Sequence, residues 1–473
     1  MIKFGTGGWR AIVADGFTKA NVQRVAHALC TLMKQEGVQE AGVCIGYDRR
    51  FLSTEATQWA AEVLAAAGVP CLVLDREAPT PLIMFTVREY ALPYGMAVTA
   101  SHNPAIYNGI KLFTAGGIDA SEAVTNRIEE IIAEEKDALI ATMPYPEAVN
   151  SGMVKEINPA NEYIDAILAL VDVNAIKNGH FKVALDPMYG VSRTSLQMIL
   201  STARCEVEVI HDRHDTLFGG QLPTPNIDTL RALSRFVVEN KFDIGIATDG
   251  DADRIGVIDD CGAFVHPNKL LTLLYYYLLA YRGWKGPVVR NNSTTHLLDR
   301  VAAGFGETCY EVPVGFKHVS AKMEETGAMI GGESSGGLTV RGHIRGKDGI
   351  YAATLLVEML AITNKSLSAL YTEITDRFGA LYTADADFTM TPEKKEALKQ
   401  RLFIERALPE FPADIAHVSY TDGCKVHFTN GAWVIARFSG TEPLLRLCAE
   451  AETTEAAEAL VHCFNAFLFG AEA

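Results

Sequence analysis

Positive charge is scarce in this sequence. Its 42 Lys and Arg face 58 Asp and Glu, a net charge of -16 over 473 residues, so it lacks the basic face that a sequence-independent nucleic-acid binder needs to displace counterions from phosphates. No C-x-x-C pair occurs, and the nine cysteines stand apart. A metal cluster held by cysteines and a disulfide framework are therefore not expected, and a reducing cytoplasm fits best. Long apolar runs are also missing. The longest, Leu270 to Tyr281, is too short to span a bilayer and reads as a buried helix, so no membrane contact is expected. The opening MIKFGTGGWR does not read as a signal peptide. There is no fixed-period repeat and no G-x-S-x-G elbow. In so acidic a chain, any phosphorylated ligand must meet a locally positive pocket.

What is present is alternation. Short β-branched runs such as AGVCIGYD, PCLVLD and FDIGIA alternate with longer amphipathic segments, the pattern of βαβ units around a mostly parallel sheet. The expected fold class is α/β. Pro/Gly/Ser-containing stretches and shifts of composition divide the chain into 1–151, 152–258, 259–375 and 376–473. The first three segments would suit three similar domains, and in the last, charged helices and short strands replace the apolar alternation.

Four stretches carry chemistry. In TDGDADR, Asp249, Asp251 and Asp253 occupy alternate positions after an apolar strand, so their carboxylates converge. Bare carboxylates about 5 Å apart repel by roughly 3 kcal/mol per pair at an effective dielectric of 20, so a cation is expected among them. Oxygen ligation suits Mg²⁺ or Ca²⁺. The calcium-loop reading fails because Arg254 stands where that loop needs glycine. A solvated acidic turn is the plain alternative, and the flanking buried strands count against it.

In RFSGTEP, Arg437, Ser439, Gly440 and Thr441 offer a guanidinium fork, two hydroxyls and an approachable backbone, which can hold a phosphate without reacting with it. In GGESSGG, Glu333 and Ser335 suit the vicinal hydroxyls of a sugar, with Lys317 of VPVGFKH available to its phosphate. Arg10 follows the glycine turn of GTGGWR. Each string alone is most often an ordinary turn or surface residue.

The stretch VTASHNPAIYNGIK places Ser101 beside His102 and ten residues before Lys111. A hydrolase would use His102 as base, but adjacent residues of an extended loop point apart. A serine that carries a phosphate fits better, since the phosphate would complete a metal site with the aspartates, and Lys111 could return to the same pocket as a proton carrier.

Taken together and in this order, the segments resemble the α-D-phosphohexomutase family over essentially the whole chain. TASHNP is similar to that family's phosphoserine loop, DGDADR to its metal loop, GGESSGG to its sugar loop and RFSGTEP to its phosphate loop. The resemblance implies four domains around a central cleft, three mixed-sheet α/β domains and a smaller C-terminal α+β domain. It implies that Ser101 is phosphorylated, and that Asp249, Asp251, Asp253 and the Ser101 phosphate hold one Mg²⁺ per chain. Lys111 would be the general base, His102 would stand in the catalytic group, and Arg10 and Arg254 would stabilise the transferring phosphoryl group.

GFK at Gly315 to Lys317 and KDGI at Lys347 to Ile350 look closer to glucomutase and pentomutase relatives than to dual-specificity phosphomannomutases. Glucose phosphates are therefore the expected substrate, with glucose 1,6-bisphosphate as intermediate and activator. Mannose, glucosamine and pentose phosphates are the alternatives, and a phosphatase or a non-catalytic phosphosugar binder are the rival classes. A phosphosugar is the only partner implied, for a monomer or homodimer.

Overall fold

The computed structural model of the chain describes residues 2–5, 7–438 and 444–470. Among these residues it contains four sheets. The first runs in the order Phe4–Gly5, Gly8–Ile12, Tyr107–Thr114, Tyr94–Val98, Val43–Tyr47, Cys71–Leu74, Val154–Ile157. Its centre is parallel and buried throughout, as strands covered by helices on both faces must be. Tyr107–Thr114 then turns back antiparallel to Tyr94–Val98.

The second sheet repeats this plan. Glu206–Val209, Lys182–Asp186 and Ile244–Thr248 are parallel, and Ile255–Ile258 returns antiparallel to the last of them. So does the third, where Cys309–Val312, Val288–Asn291 and Ile330–Gly332 are parallel and Leu338–Val340 returns. The fourth sheet is antiparallel, in the order Tyr382–Thr389, Leu444–Ala451, Trp433–Phe438, Cys424–Phe428, Ile415–Ser419, with helix Thr454–Phe469 packed on it. The mixed α/β sheets with a C-terminal antiparallel sheet and helix match the expected fold class.

One device recurs in the three mixed sheets. A central parallel strand ends, the chain makes a tight loop, and an antiparallel strand carries it back. The three loops are 99–106, 249–254 and 333–337, and each begins at the carboxyl end of a parallel strand, where open α/β sheets place their ligands.

The apolar run after Leu270 is helix Pro267–Ala280, buried from Leu270 to Leu279. No helix among the described residues is long and apolar enough to cross a membrane. The sheets extend past the division points expected from composition. Val154–Ile157 pairs with Cys71–Leu74 beyond residue 151, Phe264–Val265 extends the second sheet beyond 258, and helix Leu367–Phe378 still packs on Pro267–Ala280 beyond 375. Turn-forming residues mark where the chain bends, which need not be where a sheet ends.

Candidate active site

The three return loops converge. Ser101 is fully buried, and its backbone is left-handed at φ 51°. That conformation swings the next side chain round, so His102 does not point away as an extended loop would have it. Its Nδ1 lies 3.3 Å from Ser101 Oγ, while the hydroxyl donates to Asp249 Oδ2 at 2.9 Å. Burial, then Arg254 and Arg10, push His102 well below the usual imidazole range. That shift weakens the ring as a base, which counts against the hydrolase reading.

The loop is held by a residue that sequence reasoning passed over. Arg50 donates to the carbonyls of Ser101 (2.6 Å), Asn103 (2.6 Å), Pro104 (2.9 Å) and Tyr107 (3.0 Å). Its guanidinium also lies 4.9 Å from the Phe218 ring centroid and beside Asp48, which accepts from Thr99 Oγ1 at 2.5 Å. In the sequence Arg50 is one of two adjacent arginines after a strand, with nothing to separate it from its neighbour Arg49.

The carboxylates of Asp249, Asp251 and Asp253 are buried, with ligand oxygens within 4.8 Å of one another. The cations closest to them are lysines. Lys111 Nζ lies 2.6 Å from Asp251 Oδ2 and 2.7 Å from Asp253 Oδ2, and Lys347 Nζ lies 2.9 Å from Asp253 Oδ2. Thr80 Oγ1 donates to Asp251 at 2.6 Å.

Burial, then Asp251 and Asp253, push Asp249 well above the carboxylate range. Burial would raise Asp253 too, but Lys111, Lys347 and Arg254 outweigh it and hold it well below. Burial and its two acidic neighbours thus oppose ionisation of Asp249 more strongly than Arg254 and Lys111 favour it. Asp251 Oδ1 and Asp253 Oδ1 are buried with no hydrogen-bond partner. Orphaned anionic oxygens in an all-oxygen set are what a hard divalent cation accepts, so the residues fit such an ion.

Lys111 lies between two of the carboxylates. Burial would lower its pKa, but the Asp251 and Asp253 carboxylates raise it above the ordinary lysine value. These two carboxylates favour its ammonium form.

Arg10 and Arg254 stand over the same loops. Arg10 Nη1 donates to Asn103 Oδ1 at 2.5 Å, and Arg254 Nε lies 3.9 Å from Asp253 Oδ1. The Nε of each is buried without a hydrogen-bond partner, leaving two guanidinium donors unused beside Ser101's loop and the aspartates, where an anion would be received.

Glu333 is nearly buried. Its Oε1 accepts from Asn291 Nδ2 (3.0 Å) and Gly315 N (3.1 Å), and Ser335 Oγ approaches Oε2 at 3.5 Å. Lys317 pairs with Glu122 of the first domain. Both line a cavity of about 260 Å³ with Gly7, Gly8, Lys111 and Asp119. Arg437 Nε donates to both oxygens of Asp422 at 2.9–3.0 Å. Ser439, Gly440 and Thr441 lie outside the described residues.

Lys347 was also missed as a site residue. The signal available was a lysine between Gly346 and Asp348, immediately before a helix.

The chain's segments match, in order, Phosphoglucomutase/phosphomannomutase alpha/beta/alpha domain I over residues 1–139, domain II over 161–262, domain III over 266–378 and the C-terminal domain over 392–466. A Thermococcus kodakarensis phosphoglucomutase/phosphomannomutase is 30% identical over 96% of this chain and 95% of its own. A Sulfurisphaera tokodaii phosphoglucosamine/phosphogalactosamine mutase is 28% identical, covering 97% of each chain. Among solved structures, a Thermus thermophilus protein with a provisional phosphomannomutase name superposes with a TM-score of 0.84 at 28% identity, over 99% of each chain. The chain belongs to the α-D-phosphohexomutase family, the family of the phosphoglucomutases and phosphomannomutases. It is an enzyme of the isomerase type.

Proposed function

We propose that this enzyme interconverts glucose 1-phosphate and glucose 6-phosphate by way of a phosphoserine at Ser101. The observation that carries this reading is the placement of one buried serine hydroxyl. Ser101 Oγ lies 2.9 Å from Asp249 of the acidic triplet, on the loop that Arg10 contacts.

In the first half-reaction the C6 hydroxyl oxygen of glucose 1-phosphate bonds to the phosphorus of phosphoserine 101. The Oγ–P bond breaks, and the hydroxyl proton passes to a base, leaving Ser101 Oγ free and glucose 1,6-bisphosphate bound. After the sugar turns end for end, the reverse transfer from its O1 restores the phosphoserine and leaves glucose 6-phosphate. Little covalent chemistry is asked of the protein, so charge placement dominates. Asp249, Asp251 and Asp253, with the serine phosphate, would hold one Mg²⁺, which as a Lewis acid offsets the charge on the phosphoryl oxygens.

The protein's own groups do the rest. Arg10 and Arg254 direct their free Nε–H groups at the moving phosphoryl group. Lys111 is the proton carrier: its neutral form takes the proton of the attacking hydroxyl, and the ammonium so formed returns it to the departing oxygen. Glu333 and Ser335 meet the sugar hydroxyls, and Arg437, with Ser439, Gly440 and Thr441, holds the phosphate that is not reacting.

Incubation with Mg²⁺ and, in turn, the 1-phosphates of glucose, mannose, glucosamine and ribose tests the reading. The isomeric phosphate with glucose as the fastest sugar supports it. A faster reaction with another sugar would move the assignment within the family, and release of inorganic phosphate or no product would overturn it.

A further inference from the structure

We infer that Tyr163 and His343, acting through Asp348, are positioning residues that set Lys347 between the aspartate loop and the sugar loop, an inference resting on the mutase reading above. Lys347 reaches Asp253 from the segment that precedes helix Gly349–Thr363. Its stem runs against Gly337 of the sugar loop, where a Cβ would come within 2.3 Å of Lys347 Cδ. The ammonium thus occupies the seam between two of the three return loops. Where that side chain can reach is set by the position of the backbone that carries it.

The fixing is unusually complete at the next residue. Asp348 is 1% exposed. Its Oδ1 caps the helix, accepting from Ile350 N at 2.8 Å and Tyr351 N at 2.9 Å. That is all a cap requires, and a serine or threonine supplies it. The second oxygen goes further. Asp348 Oδ2 accepts from the Tyr163 hydroxyl at 2.7 Å and pairs with His343 Nε2 at 2.7 Å. Tyr163 comes from helix Ala160–Leu168, in the segment of the second domain, and His343 from the turn after Leu338–Val340.

The two contacts fix the rotation of the carboxylate about its own stem. Meanwhile Asp348 N donates to Leu338 O at 3.1 Å and Gly349 N to Ala252 O at 3.1 Å. The backbone that carries Lys347 is thereby tied to the aspartate loop and to the strand that leaves the sugar loop.

A purely structural seam would not need these side chains. His343 is 7% exposed, yet its Nδ1 is buried without a partner, a cost that an apolar residue would avoid. What the ring and the phenol provide that an apolar filling does not is a fixed direction for Asp348, and so for the residue before it.

The test uses the full chain with Tyr163→Phe, His343→Gln, Lys347→Met and the two doubles with Lys347→Met. Trace acylation with acetic anhydride, read by peptide mass spectrometry, reports on Lys347 without any assumption about function. Its amine should become several-fold more reactive in Tyr163→Phe and in His343→Gln, with the buried Lys111 and Lys425 unchanged. No rise at Lys347, or a rise shared by Lys111 and Lys425, overturns the inference.

In turnover of glucose 1-phosphate, each network variant should lose kcat by roughly tenfold, as displacements of an ångström or less can cause, with KM changed less than about twofold. Added to Lys347→Met, neither should cost anything more. Losses that multiply would show that the network acts on something other than Lys347. A parent enzyme without mutase turnover would overturn the functional reading instead, and the labelling result alone would then decide this one.

Discussion

At the scale of single residues, the site is a balance of buried charges, and its predictions follow from removing one term. Ser101→Ala deletes the only hydroxyl on its loop that reaches the triplet. Turnover should fall by at least a thousandfold while the melting temperature stays within a few degrees. Intact mass should show the phosphate of the parent missing from the variant, and a phosphate retained at equal stoichiometry would place the carrier elsewhere. Arg50 makes a different case, since it touches no reacting atom. A lysine there has a point charge in place of a planar fork and cannot meet four carbonyls at once. Arg50→Lys should release the strained φ of Ser101, lowering kcat by about tenfold to a hundredfold. Unchanged kcat in a folded Arg50→Lys protein would mean that the loop keeps its shape without the fork.

At the scale of elements, the return loops explain which parts of the site could be read in advance. Ser101 and the three aspartates stand in short polar strings between apolar strands, so their types and spacing were visible and the strands fixed their direction. Residues that reach the site across long sequence separations were not. Arg50 and Ser101 are joined through a side chain, Lys347 comes from a helix start, and the Tyr163 to Asp348 bond spans 185 positions. No local pattern records such contacts. Val154–Ile157 escaped for another reason: it is a short edge strand with two exposed residues, so neither length nor apolar alternation announced it. The loops also depend on close backbone approach. A Cβ at Gly349 would sit 2.6 Å from Arg254 O and 3.0 Å from Ala252 O. Gly349→Ala should therefore push the aspartate loop away, destabilising the protein by about 1–3 kcal/mol and weakening Mg²⁺ binding. Calorimetric titration with Mg²⁺ and thermal melts would check both, and an unchanged melt would show that the loop yields at no cost.

At the scale of the whole molecule, the last domain meets the third through charged side chains, and two consequences follow. Lys425 Nζ lies 2.7 Å from Glu311 Oε2 and 3.0 Å from His296 Nε2, while Arg290 already holds the same glutamate at 2.6 Å. Burial, then Arg290, lowers Lys425 from 10.5 to about 8. Below pH 8 the lysine is charged in both folded and unfolded chains, and the folded state bears the cost of the buried charge. From about pH 8 to 10.5 the unfolded chain binds the extra proton, so this group's contribution to stability rises with pH. Melting temperatures of the parent, measured against Lys425→Met, should gain over that window; a falling difference would reverse the sign of the argument. The other contact governs the cleft itself. Asp422 accepts from Arg437 Nε and, through Oδ2, from Val314 N at 2.7 Å, while Asn292 Nδ2 donates to the Asp422 carbonyl at 2.9 Å. One carboxylate thus joins the arginine proposed to hold the idle phosphate to the strand end beside Gly315 and Glu333. In the proposed mechanism the bisphosphate turns end for end before it leaves, and this contact would help to retain it. Asp422→Asn keeps the shape but loses the charge, weakening the contact by about 1–2 kcal/mol. The bisphosphate should then escape several-fold more often, leaving Ser101 without its phosphate and the enzyme idle. At saturating glucose 1-phosphate, the variant should need several-fold more added glucose 1,6-bisphosphate to reach half its maximal rate, with that maximal rate little changed. An activation curve superimposable on the parent's would mean that the last domain retains the intermediate by some contact other than Asp422.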